Sequence, residues 1–156
     1  MIAIRQVGAE RWRDWRALRL DALAQAPDAY HSKLADWQGE GDAEQRWRDR
    51  LSSRPLNLIA ELEGVAAGMA SGVREGEDAE LISMWVEPFA RGRGVGDALV
   101  DAVLGWADAA GAARTVLCVM EANHHAAALY RRHGFVDAGP APSPPGAPAE
   151  RRMVRL

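Results

Sequence analysis

The stretch Ala90–Ala107, ARGRGVGDALVDAVLGWA, crowds three glycines and two arginines together and then continues with the apolar pattern of a helix. From Val95 to Trp106 the apolar residues recur at helical spacing, and three aspartates fall on the opposite side. We therefore predict that the loop Arg91–Gly96 opens directly into an amphipathic helix that Gly111 ends.

Two apolar segments flank this loop and helix. Ala79–Val86, AELISMWV, is almost continuously apolar, which is typical of a strand covered on both faces and placed centrally in a sheet. Arg114–Val119 predicts a further buried strand. A strand, a helix and a strand in this order predict a parallel pair joined by a right-handed crossover.

The remaining elements follow from periodicity and turn residues. Strands are predicted at Ile2–Val7, Leu56–Leu62, from the Glu63–Gly64 turn to Val73, Gly134–Ala138 and Arg151–Arg155, and helices at Glu10–Ala26, Asp42–Leu51 and after Asn123. The order β-α-α-β-β-β-α-β-α-β-β predicts one α/β domain over residues 1–156, with a mixed, splayed central sheet of about seven strands flanked by about four helices. The proline-rich segment 139–150 predicts a loop of no single conformation.

Composition excludes several classes of protein. The chain has 156 residues, of which 48% are apolar and 26% charged, and its net charge of −3 argues against the basic face that duplex nucleic acid requires. No apolar stretch approaches the roughly 20 residues that span a bilayer, and the first residues lack the apolar core of a signal peptide. We therefore expect a cytoplasmic protein with no membrane partner. The single cysteine, Cys118, lies in an apolar run, so we expect a buried, inert thiol without a disulfide.

The glycine-rich loop predicts an anion site. Free backbone N–H groups and the positive end of the helix dipole would point at one spot, and glycines at 92, 94 and 96 would keep side chains away from it. Arg91 and Arg93 would add charge. The same glycine spacing is also compatible with a turn that binds nothing and whose arginines are solvated. Two familiar phosphate motifs are excluded, because no lysine follows as in a P-loop and the glycines do not fit the dinucleotide pattern.

Two motifs in this region resemble the GNAT superfamily of acetyl-coenzyme A dependent N-acetyltransferases. RGRGVG fits the family signature [Gln/Arg]-x-x-Gly-x-[Gly/Ala] at Arg91, Gly94 and Gly96, and VLCVMEANHHAAALYRRHGF fits the second signature, an asparagine followed by a helix ending in Leu-Tyr-x-x-x-Gly-Phe. The close match covers about Ala79–Val136. Residues 28–55 and 137–150 match loosely, and there members of the family differ by substrate.

The resemblance implies a site for acetyl-coenzyme A. The pyrophosphate would lie on the loop amides, and the pantetheine arm would pair with the strand backbone near Met84 and Val86, in a slot between the two splayed parallel strands. Asn123 can cap its helix, contact the cofactor, or do both. The implied cofactor-binding residues are Met84, Trp85, Val86, Arg91, Gly92, Arg93, Gly94, Val95, Gly96, Asp97, Ala98, Asn123, Ala126, Ala127 and Tyr130.

The resemblance also implies two catalytic residues. Glu80 matches the general-base glutamate of the histone-acetylating branch, although a strand-end glutamate in solvent and ordered water as base remain open. Strand alternation predicts that Glu80 faces the same side as Ile82, Met84 and Val86. Tyr130 would donate a proton to the leaving thiolate, the alternative being a tyrosine that only packs on its helix. A backbone N–H near Met84 would polarise the acetyl carbonyl.

The acceptor is less well defined by the sequence. Trp37 and Trp85 can line an acceptor pocket or belong to the core, and four acidic residues, Asp36, Glu40, Asp42 and Glu44, favour a cationic amine or form a solvated surface. The adjacent histidines His124 and His125 diverge by about 100° on a helix, so we expect no metal site.

We therefore expect an N-acetyltransferase that transfers the acetyl group of acetyl-coenzyme A to a primary amine of a small molecule or peptide, by direct attack in a ternary complex. The alternatives are a non-catalytic module that binds or senses acyl-coenzyme A, and a protein-interaction domain without a ligand. The family often dimerises through its carboxyl-terminal strands, which makes a homodimer compatible with the sequence.

Overall fold

A seven-stranded mixed sheet runs through the structure, a computed structural model that describes residues 1–156. The strands are β1 (Ile2–Gln6), β2 (Leu56–Leu62), β3 (Val65–Glu75), β4 (Asp78–Val86), β5 (Arg114–Met120), β6 (Val136–Ala141) and β7 (Glu150–Arg155). Their order across the sheet is β1-β2-β3-β4-β5-β7-β6, and only β4 and β5 are parallel. The predicted α/β class, the order of elements and the mixed sheet are confirmed.

Four α-helices cover the sheet: α1 (Trp12–Gln25), α2 (Glu44–Ser52), α3 (Val95–Ala109) and α4 (His124–Arg132). Five one-turn 3-10 helices join them, at Ala9–Arg11, Pro27–Ala29, Leu34–Trp37, Gly39–Gly41 and Pro88–Ala90. The helix α3 begins at Val95, directly after the glycine-rich loop, as the periodicity predicts. None of these helices has the length and apolar character needed to cross a membrane.

The core is divided between the two faces of the sheet. On one face, Leu99 and Val103 of α3 pack with Leu81 and Leu117 from the central strands. On the other face, α1 and α2 bury side chains that include Trp15 and Trp47 in a second cluster. Both faces of β4 are therefore covered, which explains its continuous apolar sequence.

The last hairpin departs from the prediction. The strand β6 runs from Val136 to Ala141, so it enters the segment that was predicted to be a loop and includes Pro140. It is the outer strand of the sheet and pairs with β7 alone. Proline is tolerated there because an edge strand does not need every N–H for pairing.

Two irregularities shape the centre of the sheet. The parallel strands β4 and β5 pair only from Asp78–Arg114 to Glu80–Val116 and then separate. Opposite β3, β4 carries a bulge: Ser71 is the partner of Ile82, and Met69 is the partner of Trp85. One extra residue therefore lies in β4, and Ser83 adopts the left-handed φ of 56°.

The bulge overturns the predicted strand alternation. Leu81 packs in the α3 cluster, whereas Trp85 packs in the α1–α2 cluster, although simple alternation would place both on one face. Met84 and Val86 accordingly pack towards α3. The prediction that Glu80 shares a face with them is wrong, because the extra residue at the bulge reverses the faces after it.

Candidate functional site

A cleft of about 850 Å³ opens where β4 and β5 separate. Its walls come from the end of β4, the glycine-rich loop, β5 and α4. Twelve of the residues expected to bind a cofactor line it: Met84, Trp85, Val86, Arg91, Gly92, Gly94, Val95, Gly96, Asp97, Asn123, Ala126 and Tyr130. Arg93, Ala98 and Ala127 do not line the cleft.

The glycine-rich loop presents a row of free backbone donors. Gly92 and Gly94 have φ values of 76° and 88°, which other residues rarely adopt, and Gly94 is the N-cap of α3. The first bond of the helix runs from the Ala98 N–H to the Gly94 carbonyl, and the amides from Gly92 to Asp97 have no backbone partner. Since α3 is 15 residues long, its dipole adds positive potential at the same point. This geometry suits a polyphosphate.

The third glycine, Gly96, lines the cleft and also lies against a second helix. A Cβ at Gly96 would lie 3.1 Å from Leu129 Cδ2 of α4, so glycine here allows the two helices to approach closely. Asp97, one residue later, accepts hydrogen bonds from Arg132 and lies 2.8 Å from His133 Nε2. Both contacts fasten the end of α4 to the start of α3.

The side chain of Arg91 turns back onto β4. Its Nε donates to the Val86 carbonyl at 3.2 Å, and its guanidinium lies over the Trp85 ring, 5.0 Å from the centroid. Trp85 itself is buried and donates from Nε1 to Glu87. The guanidinium is thereby held against the end of β4, in the cleft that the loop also lines.

The helix α4 carries two of the predicted residues. Asn123 caps it, because its Oδ1 accepts a hydrogen bond from the Ala126 N–H at 3.1 Å. Tyr130, near the other end, is buried and packs edge-on against Phe135 with ring centroids 5.9 Å apart. Burial raises the pKa of Tyr130 well above its usual value, with a smaller contribution from Tyr30, so the phenol is protonated at neutral pH.

A second cavity of about 340 Å³ adjoins the cleft on the α1–α2 side of the sheet. Tyr30, Ser83 and Cys118 line both cavities. The Tyr30 hydroxyl donates to the Met84 carbonyl at 2.6 Å and so holds β4 just after its bulge. Nothing in the local sequence indicated this position for Tyr30, since the contact joins segments 54 residues apart.

Glu80 lines this second cavity and not the cleft. Its partial burial raises the pKa of its carboxyl, and the nearby charge of Glu75 adds to the effect. A second carboxylate, Glu150 at the start of β7, is buried in the same cavity with His31 Nε2 at 3.0 Å. Sequence reasoning missed Glu150, because it follows a proline-rich loop whose course could not be predicted.

Cys118 lies between the two cavities. The prediction of a buried thiol is wrong: the side chain is exposed, since β4 no longer covers β5 beyond Val116. Partial burial raises the pKa of the thiol, and the charges of Glu80 and Glu150 raise it further. Both carboxylates therefore lie near Cys118.

The aromatic and acidic candidates separate in the structure. Trp37 lines the second cavity and packs against Trp47, with ring centroids 4.4 Å apart. The acidic cluster predicted to attract an amine lines neither cavity. Asp42, for example, is bound by Arg16 and by Trp47 Nε1, and these hydrogen bonds lower the pKa of Asp42 to about 2. Asp42 therefore serves local structure.

Comparison with known proteins agrees with this geometry. The profile described as "Acetyltransferase (GNAT) family" matches residues 11–135. The chain is 33% identical over 141 residues to mycothiol acetyltransferase from Clavibacter michiganensis subsp. michiganensis, a match covering 88% of this chain and 43% of that protein. The chain therefore spans less than half the length of that relative.

Solved structures share the fold over the whole chain. An acetyltransferase of the GNAT family from Streptococcus pneumoniae superposes with a TM-score of 0.80 at 21% identity, covering 100% of this chain and 99% of the other. The putative acetyltransferase yncA from Salmonella typhimurium, solved with its cofactor acetyl-CoA, superposes with a TM-score of 0.78 at 20% identity, covering 99% of this chain and 92% of the other. The chain belongs to the GNAT family of acetyltransferases, which use acetyl-coenzyme A as acyl donor.

Proposed function

We propose that the protein transfers an acetyl group from acetyl-coenzyme A to a primary amine of a small molecule or peptide, by direct attack in a ternary complex. One observation carries the proposal: the cleft with the anion-binding loop meets a second cavity, on the other side of the splayed strands, at Ser83 and Cys118. Donor and acceptor can approach each other there from opposite faces of the sheet.

The residues of the cleft fit the acyl donor. The free amides from Gly92 to Asp97 suit the pyrophosphate, and Arg91 adds a positive charge to the same cleft. Beyond Glu80, β4 has no β5 partner, so its backbone on that side can pair with the amides of a pantetheine arm. When bound, acetyl-coenzyme A supplies the activated thioester.

The acceptor amine must lose a proton before it attacks. An alkyl amine with a pKa near 10.4 is neutral in about one molecule in 2,500 at pH 7, a deficit of about 4.6 kcal/mol. Glu80 is the base we assign, because it lines the second cavity together with Cys118, which also lines the cleft, and its raised pKa makes it a better proton acceptor. It can act directly or through water.

The departing thiolate must receive a proton, and Tyr130 is the acid we assign. Its phenol is protonated at neutral pH and lines the cleft next to α4. Removing a general acid typically lowers the rate about 100- to 10,000-fold. Because the thiolate is already a fair leaving group, we expect the lower part of this range for Tyr130→Phe.

The test combines calorimetric binding of coenzyme A with a screen for thiol release and acetylated product across amines. Tyr130→Phe should lower kcat about 100-fold and leave the coenzyme A Kd unchanged, and Glu80→Gln should lower kcat with the same unchanged Kd. Glu77→Gln, a change at an exposed glutamate that lines neither cavity, is the matched control and should leave kcat and Kd unchanged. Binding of coenzyme A with no thiol release for any amine would favour the non-catalytic alternative, and no binding would overturn the proposal.

A further inference from the structure

Three arginines line the second cavity without an acidic partner. Arg19, Arg50 and Arg54 contribute to its wall, and the carboxylates present there are Glu80 and Glu150. None of the three arginines forms an ion pair, whereas Arg48, on the same helix as Arg50, pairs with Glu44. The guanidinium charges that line the cavity are therefore not neutralised by a direct carboxylate contact.

Arg19 is the most unusual of the three. Only 9% of it is exposed, and its Nη1 has no hydrogen-bond partner. Its guanidinium lies over the Tyr30 ring, 4.7 Å from the centroid, and faces no carboxylate. The one other buried side-chain donor without a partner is Nε1 of Trp15, which lines the same cavity. Both orphan atoms are closed off from solvent, so a ligand in the cavity would meet the exposed remainder of Arg19 and not the Trp15 indole, which is fully buried.

Arg50 lies beside this pair. Its guanidinium is 5.3 Å from the Trp15 ring centroid and donates to three neutral oxygens, on Asn57, Ser71 and Ser83. These bonds fix the position of the guanidinium without neutralising it. Burial, together with the smaller effect of the nearby charges of Arg54 and Arg19, lowers the pKa of Arg50 to about 9. An oxyanion between the guanidiniums would relieve both the burial and the repulsion.

Two carboxylates add negative charge to the same cavity. Glu80 and Glu150 lie near Cys118, where the cavity meets the cofactor cleft, and His31 bonds Glu150. A small molecule that carries both a cationic or amine group and an oxyanion would complement the carboxylates and the guanidiniums of this cavity. A cavity of about 340 Å³ is of the size that takes such a molecule. A guanidinium donates well to a carboxylate, and the Nε hydrogen and one Nη1 hydrogen of Arg50 remain free of protein acceptors.

We propose that the acceptor is an amino acid or a similarly small amine bearing a carboxylate, the carboxylate being bound by Arg19 and Arg50, with the amine towards Glu80. This inference rests on the proposed function, since it names the acceptor class of the same site. It makes Arg19 and Arg50 specificity-determining residues.

The test is a matched panel at saturating acetyl-coenzyme A. Each standard amino acid is compared with its amide and with the amine that lacks the carboxylate, by kcat/KM from product formation. At least one amino acid should exceed its amide by about 10- to 100-fold, as expected for charge-assisted hydrogen bonds. Arg19→Gln and Arg50→Gln should each bring the ratio of kcat/KM for the amino acid to that for its amide close to 1. Arg19→Gln, which removes no hydrogen bond to β4, should leave kcat/KM for the amide itself unchanged. Arg48→Gln, on the same helix as Arg50 but paired with Glu44, should change neither.

The outcomes separate this inference from the proposed function. An unchanged Kd for coenzyme A shows that each variant is folded. Acetylation of amines, amides or peptides without any gain from the carboxylate, or a preference for the aminoalkyl phosphate, would overturn the inference and leave the function intact. If no amine is acetylated, calorimetric titration of the amino acids themselves decides: binding that Arg50→Gln abolishes supports the cavity assignment, and no binding refutes it.

Discussion

Asn123 offers a prediction in which helix capping and cofactor contact can be separated. Its Oδ1 accepts the Ala126 N–H at 3.1 Å at the start of α4, a helix of nine residues that carries Tyr130. Asn123→Ala removes this acceptor. The loss of an N-cap costs about 1 kcal/mol, within a range of about 0.5–2 kcal/mol, which corresponds to a lower Tm by about 2–4 °C in a chain of this length.

A serine at the same position distinguishes the two roles. Serine caps as well as asparagine does and adds no charge, so Asn123→Ser should restore the stability lost in Asn123→Ala. If the asparagine amide also donates to the cofactor, Asn123→Ser should weaken coenzyme A binding about 5-fold, which is the equivalent of one ordinary hydrogen bond of about 1 kcal/mol. Urea unfolding measures the first effect and calorimetry the second. An Asn123→Ala protein as stable as wild type would refute the capping argument.

The other predictions follow from packing, buried charge and titration. Gly72→Ala should lower the free energy of unfolding by about 1–3 kcal/mol, because the added Cβ would lie 2.6 Å from Trp106. Gly105→Ala, on an open face of α3, should raise the free energy of unfolding by about 0.5–1 kcal/mol. Urea unfolding checks both predictions. Arg19→Met should raise the free energy of unfolding by about 1 kcal/mol, because it removes a buried guanidinium that has no counterion. A loss of stability in this variant would contradict the prediction. The raised pKa of Glu80 predicts that kcat/KM falls as the pH decreases through that value, because the base becomes protonated; a pH profile of Glu80→Gln should lack this acidic limb.

The region from β4 to α4 was predictable because its signals are local. The apolar run of β4, the periodicity of α3 and the turn glycines each depend on neighbours along the chain, and the observed elements begin and end within about two residues of the predicted ones. The glycine pattern likewise indicated the anion-binding loop, whose free amides the structure displays. The position of Gly96 against Leu129 depends on a second helix and could not be predicted from spacing.

The second cavity could not be predicted, because its residues come from distant elements. Arg19 lies on α1, Arg50 on α2 and Glu150 on β7, and each stands among other charged residues in the sequence. Taken alone, each resembles the solvated charge of a surface helix or strand end. Only the packing of α1 and α2 on one face of the sheet brings them together around a common space.

The bulge in β4 links these two parts of the site. Ser83 holds a left-handed conformation that costs a residue other than glycine about 1–2 kcal/mol, and nothing in the sequence marks it, since no glycine stands there. Two hydrogen bonds support the bulge, from Arg50 to the Ser83 hydroxyl and from Tyr30 to the Met84 carbonyl.

Both supporting residues line the second cavity, so the cavity that we assign to the acceptor also holds the strand in its irregular form. Because the faces reverse at Ser83, the part of β4 before it directs Glu80 to the acceptor side, and the part after it directs Met84 towards α3 and the cofactor cleft. A regular strand would place both side chains on one face. The inserted residue is therefore what allows a single strand to serve two cavities that meet at one point, and strain of this kind is kept where a site requires it.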